Sequence, residues 1–472
     1  MRIYFLGIAG TAMGNAALLL RSLGHEVSGV DENVYPPMSD VLRKAGIVFR
    51  EGYDAERLEE CAPDLAVVGN VLSRGNPEIE WLLDSRRVVY DSLPAVLRRM
   101  VLGDRRNIVV AGTHGKTTTT ALTAHLLREN GYDPGFLIGG VPLDPPMGTH
   151  PGRPDHPFVI EGDEYDSAFF DKRSKFIHYA PQVAVLNNLE FDHADIFRDL
   201  EDVKRTFSHF LRLVPRNGAV IVNGDDENLK ELLPVPWTSV YRVGESEAND
   251  LRIESFSESA DGSRFDLIWK NEHWASVAWK QHGFYNARNA AVAALAAALA
   301  VSPDRPSVLR VDGLASFRGV RRRHEVRFQS PNLTVIEDFG HHPTAIGETL
   351  KSLRNQYPEA YLMAAFEPRS NTARTRIFQE DLVPALSKAD RAVIGPVNRA
   401  DLLDPAVRLD TSSLVSQLAL AGTRADACHS HDEAFRILRN EMETPRDRPV
   451  VVVLFSNGAF GGIIERLVRC KM

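Results

Sequence analysis

Residues 109–120 read VVAGTHGKTTTT, and the fold turns on this stretch. An apolar run breaks at Gly112, and Gly115-Lys116-Thr117 opens a helical pattern. A strand, a glycine loop and a helix N-terminus together aim backbone N–H groups at a phosphate. Lys116 adds a point charge for the β- and γ-phosphates, and Thr117 adds a hydroxyl for Mg²⁺. Thr113, His114 and Thr118 complete the loop as candidate ATP contacts. The usual phosphate loop carries a further glycine five residues before the Gly-Lys pair. Val110 stands there instead, so the loop is a shortened form, and alone it leaves open a chance Gly-Lys-Thr at a helix start.

Working outward, three later apolar runs end in acids. FVI ends in Glu161-Gly162-Asp163-Glu164, VAVLNN in Leu189-Glu190-Phe191-Asp192-His193, and AVIVNG in Asp225-Asp226. In an open parallel sheet, ligands bind beyond the carboxyl ends of strands. Acids gathered there beside a phosphate loop suit Mg²⁺–ATP, because Mg²⁺ takes oxygen ligands and bridges phosphates. Each acid taken singly reads equally well as a turn or cap residue.

The chain opens with a second strand–loop–helix, RIYFLGIAGTAMG. Gly7, Gly10, Thr11 and Gly14 offer a diphosphate a glycine turn and a helix start. Asp31 closes the next strand, where a ribose-binding acid sits in such folds. The spacing is not G-x-G-x-x-G, which disfavours a nicotinamide dehydrogenase. A third unit, LTVIEDFGHHPTAIGETL, starts near residue 333. Strands alternating with helices predict α/β domains with parallel sheets. We expect three: residues 1–104, Rossmann-like; 105–316, P-loop ATPase-like; and 317–472, Rossmann-like. Residues 232–282 read as short strands in an antiparallel appendage with Asn271-Glu272 at a hairpin tip. Arg321, Arg322 and Arg323 read as a solvated hinge. NAAVAALAAALAV reads as a buried alanine-rich helix.

Asn286 and Asn289, three apart, share one helical face, and their carboxamides can read an adenine edge; taken from the residues alone, helix capping or surface placement is the better reading. Asp338, His341, His342, Arg369, Ser370 and Asn371 stand at polar ends of apolar strands, where each taken alone reads as a structural loop residue. The formal net charge of −8 gives no nucleic-acid or anionic-membrane footprint. Three scattered cysteines form no zinc or disulfide pattern, and the cytoplasm is the expected compartment.

The ordered motifs GTHGKTTTT, EGDEYD, NNLEFDH, YNARNAA, FRGVRRRHE and EDFGHHPTAI resemble the Mur ligase family along the whole chain. The resemblance implies an ATP- and Mg²⁺-dependent carboxylate–amine ligase whose three domains bind a UDP-sugar, ATP and the incoming amine. It implies that Thr117, Glu161 and His193 hold metal. It implies that Asn286 and Asn289 contact adenine, and that Arg323 and Asp338 meet ATP when the third domain closes. Lys116, His193, Arg323 and Asp338 then form the catalytic set. Gly7, Gly10, Thr11, Gly14, Asp31, Arg74 and Asn76 would serve UDP-N-acetylmuramate, and Arg369, Ser370, Asn371 and His342 the acceptor.

DENVYPPMS, VVGNVLSRGNPEIE, FEPRSNT and FSNGAFGGI further resemble the branch that attaches a murein tripeptide in cell-wall recycling; the branch that adds L-alanine is the alternative. Several family members carry a carbamylated lysine some fourteen or fifteen residues after the metal histidine. Phe207 and Ser208 stand there, with Lys204 off register, so that modification is not expected. Outside the family, a switch ATPase would turn over without UDP-sugar or amine.

Overall fold

The computed structural model describes residues 1–32, 34 and 38–470. Asn33, Tyr35, Pro36 and Pro37 of the DENVYPPMS motif lie outside the described residues. Three main sheets follow one another along the chain. The first is all parallel, ordered in space Val48–Glu51, Glu26–Asp31, Arg2–Leu6, Leu65–Val68, Val89–Ser92. Strand order reverses at Arg2–Leu6, and there an open α/β sheet leaves its ligand crevice. Gly7 and Gly10 occupy the loop at that point, ahead of the helix Thr11–Ser22.

The second sheet has ten strands. Its parallel centre runs Ser239–Gly244, Ala219–Asn223, Val183–Leu186, Asn107–Ala111, Phe158–Glu161, Gly135–Leu137. Ala219–Asn223, Val183–Leu186, Asn107–Ala111 and Phe158–Glu161 are near-continuous apolar runs, as strands buried on both faces require. The expected antiparallel appendage is part of this sheet. Leu251–Ser259, Gly262–Trp269 and Glu272–Trp279 form an antiparallel meander that extends this sheet through the Val243–Leu251 pairing. The hairpin tip is Lys270-Asn271, one residue earlier than expected. Both residues have positive φ, 48° and 70°, as a two-residue type I′ turn demands.

The helices Lys116–Glu129 and Phe284–Val301 share the core on one face of this sheet. Alanines at 287, 290, 291 and 294 are fully buried. Among the described residues, Phe284–Val301 is the one helix long and apolar enough to cross a membrane, and it is packed inside this core.

The third sheet is ordered Glu325–Ser330, Leu333–Asp338, Val450–Phe455, Tyr361–Phe366, Arg391–Ile394, Arg424–Ala427. Only its first strand is antiparallel. The last strand of the chain inserts beside the first parallel one, so the ends Asp338, Ser456 and Glu367 lie on three adjacent strands. The link into this domain is not a solvated arginine run. Arg322 donates to Glu337 (2.7 Å) and to the Ser456 carbonyl (2.8 Å), and Arg323 lies over the Phe339 ring at 4.6 Å. The Arg322 guanidinium finds a buried carboxylate and backbone carbonyls, Arg323 finds the Phe339 ring and Thr117, and Arg321 stays exposed.

Candidate active site

The carboxyl ends of Asn107–Ala111, Phe158–Glu161, Val183–Leu186 and Ala219–Asn223 open onto one cavity of about 540 Å³. Its opposite wall comes from Arg323, Asp338, His341 and His342 of the third domain. The cavity therefore lies between two domains, on the ligand side of the central sheet.

The phosphate loop is sewn to the neighbouring strand end. Thr113 N donates to the Asn188 carbonyl, and His114 N to Asn188 Oδ1 (2.7 Å). Gly115 has φ 78°, and a Cβ there would stand 2.6 Å from Asn289 Oδ1. Glycine is thus fixed by backbone conformation and packing together.

Lys116 Nζ donates to the Gly112 carbonyl (2.7 Å) and to both oxygens of Glu164 (2.9 and 2.8 Å). Glu164 also holds His193 Nε2 at 2.8 Å and is 3% exposed. Burial pushes its carboxyl up, but the Lys116 ammonium and the His193 hydrogen bond outweigh burial and hold it below the ordinary value. Burial likewise opposes charge on Lys116, and the surrounding carboxylates, Glu164 first, still raise its pKa.

Thr117 Oγ1 donates to Glu161 Oε1 (3.1 Å) and accepts from Arg323 Nη2 (3.2 Å); Gly139 N donates to Glu161 Oε2. Burial raises the Glu161 pKa. The expected set Thr117, Glu161, His193 thus appears as two pairs, Thr117–Glu161 and His193–Glu164. Glu164, read from sequence only as one of the strand-end acids, is the hub of the second. Its signal was the second glutamate of EGDEYD, three residues past Glu161.

Asn286 and Asn289 line the cavity and are tied together. Asn289 Nδ2 donates to Asn286 Oδ1 (3.3 Å), and Asn289 Oδ1 accepts from Thr119 Oγ1 (3.2 Å). Thr118 also faces the cavity. Asp225 and Asp226, expected among the Mg²⁺ acids, are turn and cap residues. Asp226 accepts from Leu189 N and Leu229 N, and Asp225 from Glu245 N and Asn249 Nδ2. Backbone donors and a side-chain amide take up their oxygens. Lys204 is held by Glu201 and Glu231, while Phe207 is buried in the core.

On the third domain, Asp338 accepts from Gly340 N and His324 N, and burial raises its pKa. His342 caps the helix Pro343–Gln356, its Nδ1 accepting from Thr344 N. Burial and the neighbouring His114 lower its pKa to about 3. His341 reaches Asp192 (3.4 Å), Thr372 Oγ1 accepts from Ala194 N, and Asn371 Nδ2 donates to Asp195 (2.8 Å). The third domain therefore grips the loop that carries His193.

The four expected acceptor residues do not gather at one place. His342 lines the cavity and the other three do not. Ser370 Oγ accepts from Ala373 N within a turn. Arg369 Nη1 lies 3.7 Å from the buried Glu367, which also meets His431 and Ser456.

In the first domain, Gly7 has φ 89° and Asp31 Oδ2 accepts from Ala9 N (2.8 Å), so the acid braces the glycine loop itself. Thr11 starts the helix and is exposed, whereas Gly14 packs directly against the Met38 side chain. Arg74 pairs with Glu80, and Asn76 caps the helix Pro77–Ser85 through Glu78 N and Ile79 N.

Three family models match in sequence order: "Mur ligase family, catalytic domain" over residues 2–105, "Mur ligase middle domain" over 110–297, and "Mur ligase, glutamate ligase domain" over 322–458. The chain is 42% identical to the UDP-N-acetylmuramate–L-alanyl-γ-D-glutamyl-meso-2,6-diaminoheptandioate ligase of Escherichia coli, covering 99% of this chain and 98% of that one. It is 31% identical to the UDP-N-acetylmuramate–L-alanine ligase of Methylococcus capsulatus, covering 99% and 95%. A solved murein peptide ligase from Psychrobacter arcticus superposes with a TM-score of 0.72 at 37% identity, covering 99% and 98%. A UDP-N-acetylmuramate–alanine ligase from Thermotoga maritima, at 23% identity and TM-score 0.77 over 100% and 99%, shares the fold.

Proposed function

The chain belongs to the Mur ligase family, and from that premise we propose that it joins L-alanyl-γ-D-glutamyl-meso-diaminopimelate to UDP-N-acetylmuramate at the expense of ATP, in peptidoglycan recycling. The observation that carries the chemistry is a phosphate-loop lysine facing Arg323 and Asp338 of another domain across one cavity. The choice of acceptor rests on likeness to the tripeptide-adding relatives. Addition of L-alanine is the second reading, favoured by the 31% relative. Such a reaction belongs in the cytoplasm, where ATP is made.

A carboxylate is a poor electrophile and must be activated. The lactyl carboxylate of UDP-N-acetylmuramate attacks the γ-phosphorus of ATP, forming an acyl phosphate and expelling ADP. The amine of the tripeptide then attacks the acyl carbon. A tetrahedral intermediate collapses, phosphate leaves, and the nitrogen gives up a proton.

Positioning and charge neutralisation supply most of the catalysis in phosphoryl transfer. Lys116 meets the β- and γ-phosphates, exchanging the Gly112 carbonyl for phosphate oxygens. Gly112, Thr113, His114, Gly115 and Thr118 cradle them with loop and helix N–H groups. Asn286 and Asn289 face the adenine, and Arg323 brings a charge from the third domain. The grip of that domain on residues 190–195 excludes water from the acyl phosphate. The glycine loop at Gly7 and Gly10, with Thr11 and Asp31, takes the UDP moiety.

Thr117 and Glu161 offer the hard oxygen donors that Mg²⁺ prefers, and His193 stands with Glu164 beside them. This donor set fits the metal. Bound there, Mg²⁺ would screen the phosphate charge.

The test is ADP release. It should require both UDP-N-acetylmuramate and an amine, with the tripeptide used far better than L-alanine. Release without either substrate would establish a switch ATPase; equal or better use of L-alanine would establish the second reading. Arg369 offers a planar fork for an acceptor carboxylate. Arg369→Lys should weaken tripeptide use by about 1.5–3 kcal/mol, as for a hydrogen bond to a charged group, with ATP affinity unchanged.

A further inference from the structure

Three side chains outside the proposed Mg²⁺ set converge at the seam between the second and third domains. His114 comes from the phosphate loop, Glu190 from the loop after Val183–Leu186, and His342 from the cap of the helix Pro343–Gln356. Their potential ligand atoms all lie within 4.8 Å of one another. His114 Nε2 is 2.7 Å and His342 Nδ1 3.4 Å from Glu190 Oε2, and the two imidazole rings are 4.5 Å apart.

We propose that His114, Glu190 and His342 bind a borderline divalent transition-metal ion, with Zn²⁺ the best fit, at a site separate from Mg²⁺. Two imidazoles and one carboxylate are a common Zn²⁺ ligand set, whereas Mg²⁺ favours oxygens alone. Tetrahedral bonds of the usual Zn²⁺ length separate neighbouring ligand atoms by roughly 3.3 Å, inside the spread seen here. Small side-chain rotations would therefore suffice.

His342 and Glu190 have the outer partners that orient metal ligands. His342 Nε2 donates to the Phe191 carbonyl (3.3 Å), which fixes the tautomer and leaves Nδ1 with its lone pair. Glu190 Oε1 accepts from Thr344 Oγ1 (2.9 Å), which orients the carboxylate. The cost is the 3.3 Å cap from Thr344 N to His342 Nδ1, a single helix-start hydrogen bond set against the binding of a structural Zn²⁺. Two ligands sit on the central domain and one on the third, so the ion would tie the phosphate loop to the closed arrangement.

The experiment uses the full chain without Mg²⁺ or nucleotide, titrated with Zn²⁺ and, as a visible probe, Co²⁺. One ion should bind per chain at this site, with a Co²⁺ spectrum lacking thiolate character. His114→Asn and His342→Asn should each weaken binding at least about tenfold, the lower end for loss of even an outer partner. Asn at 342 preserves a capping side chain, and circular dichroism confirms folding of each variant. Glu161→Gln and His193→Asn should leave the affinity unchanged. No binding, binding that survives both His→Asn changes, binding that falls with His193→Asn instead, or a thiolate spectrum from Cys61 or Cys470 would each overturn the site.

Discussion

The glycine loops of the first and second domains share one plan, a buried parallel strand, a turn at positive φ and a helix start, yet their surroundings differ. Around Gly115 the protein crowds in, with Asn289, Asn187 and the Lys116–Glu164 pair filling the space. Around Gly7 and Gly10 it stands back. A Cβ at Gly7 would come no nearer than 4.0 Å to Leu72, and one at Gly10 only 3.7 Å from the Gly7 carbonyl. The central loop carries its own charges, while the first offers backbone, an acid brace and room. A loop that handles a reacting phosphate must fix charge in advance. One that anchors the far end of a substrate needs only shape and N–H groups.

Lys116→Ala tests this contrast most severely. It removes the one cation on the central loop, and ADP formation should nearly vanish with the fold intact. Activity within about tenfold of the parent, roughly 1.4 kcal/mol, would contradict the assignment.

Glu161→Gln and His193→Asn should each raise the Mg²⁺ concentration needed for turnover. The double variant should fall short of the sum, as for groups acting on one array. Additive losses would instead mean that the two pairs in the structure work independently.

Glycine substitutions probe the crowding around each loop. Gly115→Ala should destabilise by about 1–3 kcal/mol through backbone strain alone, and more through the Asn289 overlap. Gly10→Ala should leave denaturant stability unchanged and raise only the KM for UDP-N-acetylmuramate. A stability loss at Gly10, or an unchanged KM, would remove the first loop from the substrate.

The smallest effect is expected at Glu78, fully buried beside Tyr4 and the Asp54 N–H in the first domain. Burial raises its pKa above the ordinary 4.5. Folding thus favours the protonated acid, and its stability contribution declines as pH rises through the folded-state value. Glu78→Gln should stabilise the protein near neutral pH and make no difference well below pH 4.5. Urea midpoints at the two pH values decide it.

Much of the site was legible because its elements are local. Strand, glycine loop and helix start are contiguous in both loops, and periodicity with turn chemistry reveals them. Glu164 was not legible, since its partners Lys116 and His193 are 48 and 29 residues away. Asp225 and Asp226 line the same cavity, yet their local partners were equally illegible. Their position after a strand resembles that of Glu161, but nearby N–H groups take up their oxygens. The arginine run reads as solvated until Glu337 and the Ser456 carbonyl come into range.

The alternation of strands and helices, the two glycine loops, the buried alanine helix and the family are all readable in the chain order of residues. These depend on side-chain period and on short motifs, which one segment carries alone. Only the tertiary structure decided that the meander continues the central sheet, that Glu164 joins Lys116 to His193, and that Asn371 and Thr372 hold the 190–195 loop. It also brought His114 and His342 together across a domain seam. Such contacts link residues far apart in the chain, and the side chains have no partner until the domains pack.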